Sequence, residues 1–286
     1  MLTMLTMLPM RQITILEALR QAGHDIDEID ARLLLQYVLS VSHAYLLAHP
    51  EQELAPGQAL SFRTLTMRRA HGEPVAYLTG KREFYSLDFA VTPAVLIPRP
   101  ETELLVDLSL ARIPLDLPCK VLDLGTGSGA IALTIAKHRP SADIIAVDFS
   151  ADALKVAGKN AEQLNVSNVR IMEADWFEGL AGEKFDLIVS NPPYVAYGDP
   201  HLDQGDLRFE PGIALAAGGK GLDCIQSIIA SAPAHLAAGG ALLLEHGYDQ
   251  AETCRQLLGE AGFGGVFSHP DLAGIMRVSG GYLAVS

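Results

Sequence analysis

The sequence predicts an α/β protein: a mostly parallel seven-stranded sheet covered by helices, preceded by a small helical unit and a β-hairpin. Three observations lead there. From Lys120 onward, short apolar runs alternate with runs of helical period, the pattern of parallel strands joined by crossover helices. A glycine cluster, Gly125-Thr126-Gly127-Ser128-Gly129, falls where the first of those strands meets its helix. Before residue 80, apolar residues recur only at helical spacing.

The helical unit covers residues 1–80. Ile13, Leu16 and Leu19 begin a helix that ends near Gly23. Asp27 to Ser40 carries Ile29, Leu33, Leu34, Tyr37 and Val38 on a helical period, capped by Asp25 or Asp27. A short segment around Tyr45 to Leu47 follows. Pro56 to Ala70 is a helix with Pro56 in its first turn, and Glu73 to Leu78 adds one more turn. Residues 81–98 form the hairpin linker. Phe84, Tyr85, Leu87, Phe89, Val91 and Val95 alternate loosely, with the turn expected at Ser86 to Asp88.

Residues 99–286 form the α/β domain. Leu104 to Ala111 reads as its first helix. Strands are expected at Val121–Leu124, Asp143–Val147, Val169–Met172, Phe185–Ser190, Ala241–Glu245, Val266–His269 and Ile275–Val285. Helices are expected at Ala130–His138, Ala151–Leu164 (capped by Ser150), Leu222–Leu236 and Ala251–Ala261. Val195 to Lys220 is a long irregular connection, and such loops tend to carry function. Its acidic part, Asp199 to Glu210, reads as a solvated loop that covers a substrate.

Composition narrows the partners. With 49% hydrophobic residues the 286-residue chain can bury a sizeable core. Its net charge of -13, without a basic stripe, argues against direct nucleic-acid binding. Cys119, Cys224 and Cys254 lie far apart, which suits a reducing cytoplasm rather than a disulfide framework or a zinc site. No H-x-x-x-H spacing occurs among the histidines, so no metal site is expected. The Met1–Met10 stretch lacks a basic start, a long apolar core and a cleavage site, so no signal peptide is expected, and either Met1 or Met10 serves as a start. No apolar run approaches the ~20 residues that span a bilayer.

Three clusters carry chemistry. Glycines at a strand–helix turn let the backbone approach a ligand. Their G-x-G-x-G spacing differs from the dinucleotide fingerprint. No lysine follows them, which rules out a phosphate-cradling loop, and Ser128 lacks the G-x-S-x-G frame of a nucleophile. Asp148 ends the next strand, 19 residues beyond Gly129, where an acid accepts from two ribose hydroxyls. Together these point to a cofactor containing a nucleoside. Asp175 and Trp176 follow the third strand, placed to accept an adenine amine and to wall its ring. Asn191-Pro192-Pro193-Tyr194 ends the fourth strand. Two prolines stop the ladder and stiffen the backbone, presenting one amide oxygen, one free carbonyl and one ring. Such a corner grips a planar –NH2 group. His246, after a strand end, reads as a turn residue.

These residues resemble the class I S-adenosylmethionine-dependent methyltransferases that act on planar nitrogen. Across roughly residues 30–270 the chain further resembles the PrmC/HemK family of protein-(glutamine-N5) methyltransferases. Gly72 to Gly80, Arg82-Glu83-Phe84, Leu96 to Glu103, Asp123 to Ala132, Ser190 to Tyr194, Arg208 to Pro211 and Leu243 to Gly247 carry that resemblance. Asn-Pro-Pro-Tyr is shared with nucleic-acid amino methyltransferases, whereas Ile97-Pro98-Arg99-Pro100-Glu101-Thr102 is particular to this family. One departure is Ile275-Met276, where the family has a polar pair before Arg277.

The resemblance implies a Rossmann-like catalytic domain and a helical domain that docks the substrate. The substrate it implies is the glutamine of the Gly-Gly-Gln loop of class 1 peptide-chain release factors, in the cytoplasm, with no membrane involved. It implies S-adenosylmethionine on Gly125, Thr126, Gly127, Ser128, Gly129, Asp148, Trp176 and Asn191, with S-adenosylhomocysteine as product. The glutamine is expected on Asn191, Pro192, Pro193 and Tyr194, with Asn191, Pro192 and Tyr194 catalytic. An adenine or cytosine amino methyltransferase is the alternative, and the acidic net charge speaks against it. A nicotinamide oxidoreductase leaves Asn191 to Tyr194 unexplained. A non-catalytic adaptor sits poorly with a full set of motif positions.

Overall fold

The computed structural model describes residues 12–203 and 205–284. The Met1 to Met10 segment lies outside the described residues. The chain divides into two compact units between Thr79 and Gly80.

The first unit is helical: α1 (Ile15–Ala22), α2 (Glu28–Leu39), α3 (His43–Ala48), α4 (Pro56–Ala70) and α5 (Val75–Thr79). Each start has a local cause. Thr14 and Glu17 form a reciprocal capping box on α1. Asp27, not Asp25, caps α2 by accepting from the Ile29 N–H. Pro56 opens α4, where its missing N–H costs nothing. Ile15, Leu34, Leu35, Leu46 and Phe62 form the core.

The second unit begins with the hairpin β1 (Lys81–Phe84) and β2 (Leu87–Ala90). Its turn is Tyr85-Ser86, one position earlier than expected, with both residues at positive φ (52° and 60°). Neither residue favours that conformation, and the turn is held from outside. Glu103 accepts from the Tyr85 N–H at 2.8 Å, and Asp107 from the Tyr85 hydroxyl at 2.7 Å. Phe84 and Phe89 are fully buried in the core of this unit.

The sheet comprises β3 (Cys119–Leu124), β4 (Ala142–Asp148), β5 (Val169–Glu173), β6 (Phe185–Ser190), β7 (Leu236–Glu245), β8 (Phe263–Pro270) and β9 (Met276–Leu283). Their order is β5-β4-β3-β6-β7-β9-β8, with only the β9 pairings antiparallel. Helices α6 (Glu103–Leu110), α7 (Ala130–His138), α8 (Ala151–Leu164), α9 (Asp223–Ser231) and α10 (Ala251–Glu260) complete the unit. Val121, Ile144, Leu187 and Leu243 feed one core, and Leu122, Ile145, Ile188 and Leu242 feed another. Burial on both faces explains why these strands read as unbroken apolar runs.

Two boundaries differ most from expectation. Helix α9 stops at Ser231, followed by a single turn of 3₁₀-helix over Ala232–Ala234, because Pro233 cannot continue an α-helical ladder. Strand β7 then starts at Leu236, five residues ahead of the expected Ala241. The chain crosses from β5 to β6 past β3, so strand order reverses between β3 and β6. Ligands in open α/β sheets bind outside the carboxyl ends of strands at that reversal.

Candidate active site

The carboxyl ends of the central strands come into line. Leu124 pairs with Val147 and with Ser190, Asp148 with Glu173, and Ser190 with Leu244. A cavity of about 450 Å³ opens above them. Gly125, Thr126, Gly127, Ser128, Asp148, Trp176, Asn191 and Pro193 line it, together with Asp175. Gly129, Pro192 and Tyr194 do not line it.

The glycine loop is a built cradle. Gly125, Gly127 and Gly129 have φ of +71°, +57° and +82°, a region costly for other residues. A Cβ on Gly129 would fall 2.7 Å from Leu133 Cδ1, so this glycine serves helix packing. Asp123 lies beneath, fully buried. Its Oδ2 accepts from the Thr126 hydroxyl at 2.7 Å and the Ala132 N–H at 3.2 Å, while Oδ1 has no partner among the described residues. Burial pushes the Asp123 carboxyl up to about 7, against the pull of those two donors. Asn160 of α8 reaches the loop from the far side. Its Nδ2 donates to the carbonyls of Ser128 and Ala90, and its Oδ1 accepts from the Ala90 N–H, tying hairpin and loop together.

Asp148 is committed to the loop before any ligand arrives. Its Oδ2 accepts from the Gly127 N–H at 2.8 Å and its Oδ1 from the Ser150 N–H at 2.9 Å. A carboxylate oxygen has two lone pairs, so one on each remains for a ligand's hydroxyls. Trp176 sits at φ 51°, and a Cβ built on Gly125 would be 3.6 Å from its Cζ3. The ring therefore lies against the loop and forms a wall of the cavity.

Asn191 is pinned at one end of its amide. Its Nδ2 donates to Thr102 Oγ1 at 3.2 Å, and its Oδ1 takes no bond among the described residues. Tyr194 points its hydroxyl at Glu245 Oε1, 3.3 Å away. Its carbonyl accepts from Gln250 Nε2 at 3.0 Å, which anchors the tetrapeptide to the start of α10. Desolvation raises the Tyr194 phenol above its ordinary value. Glu245 ends β7, fully buried. Burial pushes it up to about 7, although the hydroxyls of Thr102 and Tyr194 and the charge of Arg277 draw it down.

The irregular connection is not wholly a solvated loop. Tyr197, Pro211, Ile213, Ala214 and Ala217 line the cavity, and Val195 bridges to Ala216. Glu210, expected in solvent with its acidic neighbours, is buried. Its Oε2 accepts from the Ile97 N–H at 3.0 Å, and its Oε1 pairs with Arg99 Nη2. Glu210 thus latches the Ile97–Arg99 segment against the loop. We expect Glu210→Ala to cost about 2 kcal/mol, because it strands Arg99 and a buried N–H. A thermal midpoint lower by roughly 4–8 °C would register that loss, and an unchanged midpoint would refute the latch.

The sequence alone gives Thr102, Glu245 and Gln250 no role in the site and places Glu210 in solvent. For Glu245 a signal existed, since an acid closes the buried run Ala241–Leu244. Thr102 carried none, because its role rests on a contact 89 residues away in the chain. His246 takes the expected turn role: buried, bonded to the Gly247 carbonyl and the Ser279 hydroxyl, and absent from the cavity lining.

Comparison with known proteins gives this geometry a family. Residues 14–80 match the PrmC N-terminal domain and residues 102–205 the methyltransferase small domain. The chain is 50% identical to the release factor glutamine methyltransferase of Xylella fastidiosa (strain Temecula1) over 92% of its own length and 96% of that protein's. It is 48% identical to the one from Escherichia coli (strain K12), over 87% and 90%. Among solved structures, the T. thermophilus 16S rRNA N2 G1207 methyltransferase in complex with AdoMet and guanosine shares the fold. It superposes with a TM-score of 0.54 at 22% identity, covering 71% of this chain and 49% of that one. Half of the residues are thus shared over nearly the whole of two chains, and both parts match in order: the chain belongs to the release factor glutamine methyltransferase family.

Proposed function

We propose that the chain moves a methyl group from S-adenosylmethionine to the side-chain amide nitrogen (N5) of the glutamine in the Gly-Gly-Gln loop of class 1 peptide-chain release factors, in the cytoplasm. The observation that carries this reading is the Asn191 amide. Its nitrogen is tied to Thr102 and its oxygen has no partner among the described residues, on the wall of a cavity sized for a nucleoside.

The residues present fit the cofactor. Positive-φ glycines give backbone access, Asp148 keeps one lone pair on each oxygen, and Trp176 offers a flat wall. We assign cofactor contacts to Gly125, Thr126, Gly127, Ser128, Asp148, Trp176 and Asn191, all on the cavity wall, and leave Gly129, which packs against Leu133 outside that wall, to helix packing. When bound, S-adenosylmethionine supplies a methyl carbon on a sulfonium, which is the electrophile.

The protein's task is to prepare a poor nucleophile, because an amide nitrogen shares its lone pair with its carbonyl. Asn191 Oδ1 and the Pro192 carbonyl would accept the two N–H bonds of the substrate. Those contacts strengthen as the nitrogen becomes pyramidal and positive, which is transition-state stabilisation. Pro193 and the ring of Tyr194 would flank the amide plane. During transfer the surplus proton would stay on the substrate nitrogen, held by Asn191 Oδ1 and the Pro192 carbonyl, and would leave to solvent afterwards. Holding both reactants aligned supplies on the order of 7 kcal/mol or more. The helical unit is read as the docking part: α2 leaves Ile29, Leu33 and Tyr37 exposed one turn apart.

The test is transfer of labelled methyl into a release factor, its Gln→Ala variant and bulk nucleic acid. We expect label only in the intact factor. Label confined to nucleic acid would replace this reading with an adenine or cytosine amino methyltransferase.

A further inference from the structure

We infer that Glu245, as a carboxylate, is the positioning residue that decides which edge of the Asn191 amide faces the substrate. The inference rests on the proposed role of Asn191 and deepens it. The register places the two side by side, because Ser190 pairs with Leu244 and each strand then runs one residue further. Thr102 lies between them. A threonine hydroxyl has one proton and two lone pairs. Its Oγ1 already accepts from Asn191 Nδ2, so its proton must turn elsewhere.

Glu245 is the acceptor on offer. The Thr102 hydroxyl faces the carboxyl and stabilises its charge, without closing a bond to Oε2, which has no partner among the described residues. Tyr194 donates to Oε1 at 3.3 Å. One carboxylate therefore reaches both ends of the Asn191–Tyr194 tetrapeptide. An ionised Glu245 only accepts, so it draws the Thr102 proton and leaves Thr102 nothing but lone pairs to show Asn191. Only the Nδ2 edge of the amide fits there, and Oδ1 is aimed away, free for the substrate –NH2. A protonated Glu245, or a glutamine in its place, can instead donate to Thr102. The threonine proton is then free to turn to Asn191 Oδ1. The amide flips, and a donor meets the donor –NH2 of the substrate.

The charged and titratable neighbours of Glu245 are Arg277 of β9, Glu101 beside Thr102, and Tyr194. Asp271 is bonded to Arg277, and Arg99 acts on Tyr194. Burial lifts Glu245 to about 7, so methyl transfer should fall as pH drops through that value. Asp123 is also lifted to about 7, so an acid limb belongs to Glu245 only if it disappears in the Glu245→Gln variant.

The experiment compares wild type, Glu245→Gln, Thr102→Val, Thr102→Ser, the Gln/Val double variant and Asn191→Ala, each with a thermal melt and a cofactor-binding titration. At pH 8 we expect kcat to fall about 100-fold in Glu245→Gln and in Thr102→Val, the scale of a misplaced reacting group. Thr102→Ser should stay near wild type, and the double variant should fall no further than either single, because both cut one relay. Cofactor affinity should stay within about threefold of wild type, since the relay does not touch the glycine loop. Wild type should show the acid limb and Glu245→Gln should lack it. Wild-type turnover in Glu245→Gln, or an acid limb that survives in it, overturns the inference while Asn191→Ala remains inactive. Turnover in Asn191→Ala overturns the reading beneath it. A melt shifted equally in all variants, with additive losses and an unchanged pH profile, would mean a merely structural acid and also overturn the inference.

Discussion

Asn191→Ala is expected to lower methyl transfer by on the order of 10³-fold or more while the cofactor still binds. The size follows from what the side chain does alone. In the proposed mechanism it is one of two acceptors that meet the substrate –NH2. Alanine also leaves the Thr102 hydroxyl facing a hole, which costs a further buried hydrogen bond. Cofactor affinity should weaken only a few-fold, because Asp148 and the glycine loop do not depend on Asn191. A single-turnover transfer assay beside a calorimetric titration separates the two effects. Loss in kcat with near-normal binding is the signature of an interaction made mainly in the transition state. Turnover within tenfold of wild type would sink the assignment of this corner.

The sheet was legible because its cause is local. The central strands β3, β4 and β6 are apolar runs that end at the turn or acid carrying the site, and α8 begins at Ser150, which caps it. The site was legible only where its groups sit at strand ends. Gly125 to Ser128, Asp148, Trp176 and Asn191 could be assembled from topology, since parallel strands bring their carboxyl ends to one edge. What topology does not reveal is who holds them. Thr102 reaches Asn191 from a turn before α6, and Glu210 holds Ile97 and Arg99 from 111 to 113 residues away. Glu210 was hidden by its company, because an acid among acids reads as solvated whatever its burial. The Tyr85-Ser86 turn was hidden for a related reason. Its positive φ values come from Glu103 and Asp107, not from a glycine or asparagine in the turn itself.

The same reasoning makes Asp148→Asn a harsher change than its size suggests. Asparagine keeps the shape and removes a charge, and at a site that only bound ribose it would still keep one acceptor oxygen. In the proposed site, however, Asp148 would have two tasks. Both of its oxygens already accept from backbone, Oδ2 from Gly127 and Oδ1 from Ser150. An asparagine presents one oxygen and one –NH2, so one of those N–H groups must face a donor whichever way the amide turns. If Gly127 loses its partner, the glycine loop is released. If Ser150 does, the first turn of α8 is disturbed, and Ser150 caps that helix through Ala153. The expected result is a cofactor affinity weaker by about 100-fold, near 2.7 kcal/mol, compounded of a lost ribose acceptor and a loosened loop. Two titrations distinguish the parts. A nucleoside fragment that carries the ribose should lose as much affinity as the whole cofactor, whereas methionine alone should lose only what the loosened loop costs. The ligand-free protein should also melt several degrees lower, in proportion to one unsatisfied backbone donor. A variant that binds cofactor within threefold of wild type would show that Asp148 neither holds the loop nor faces the ribose.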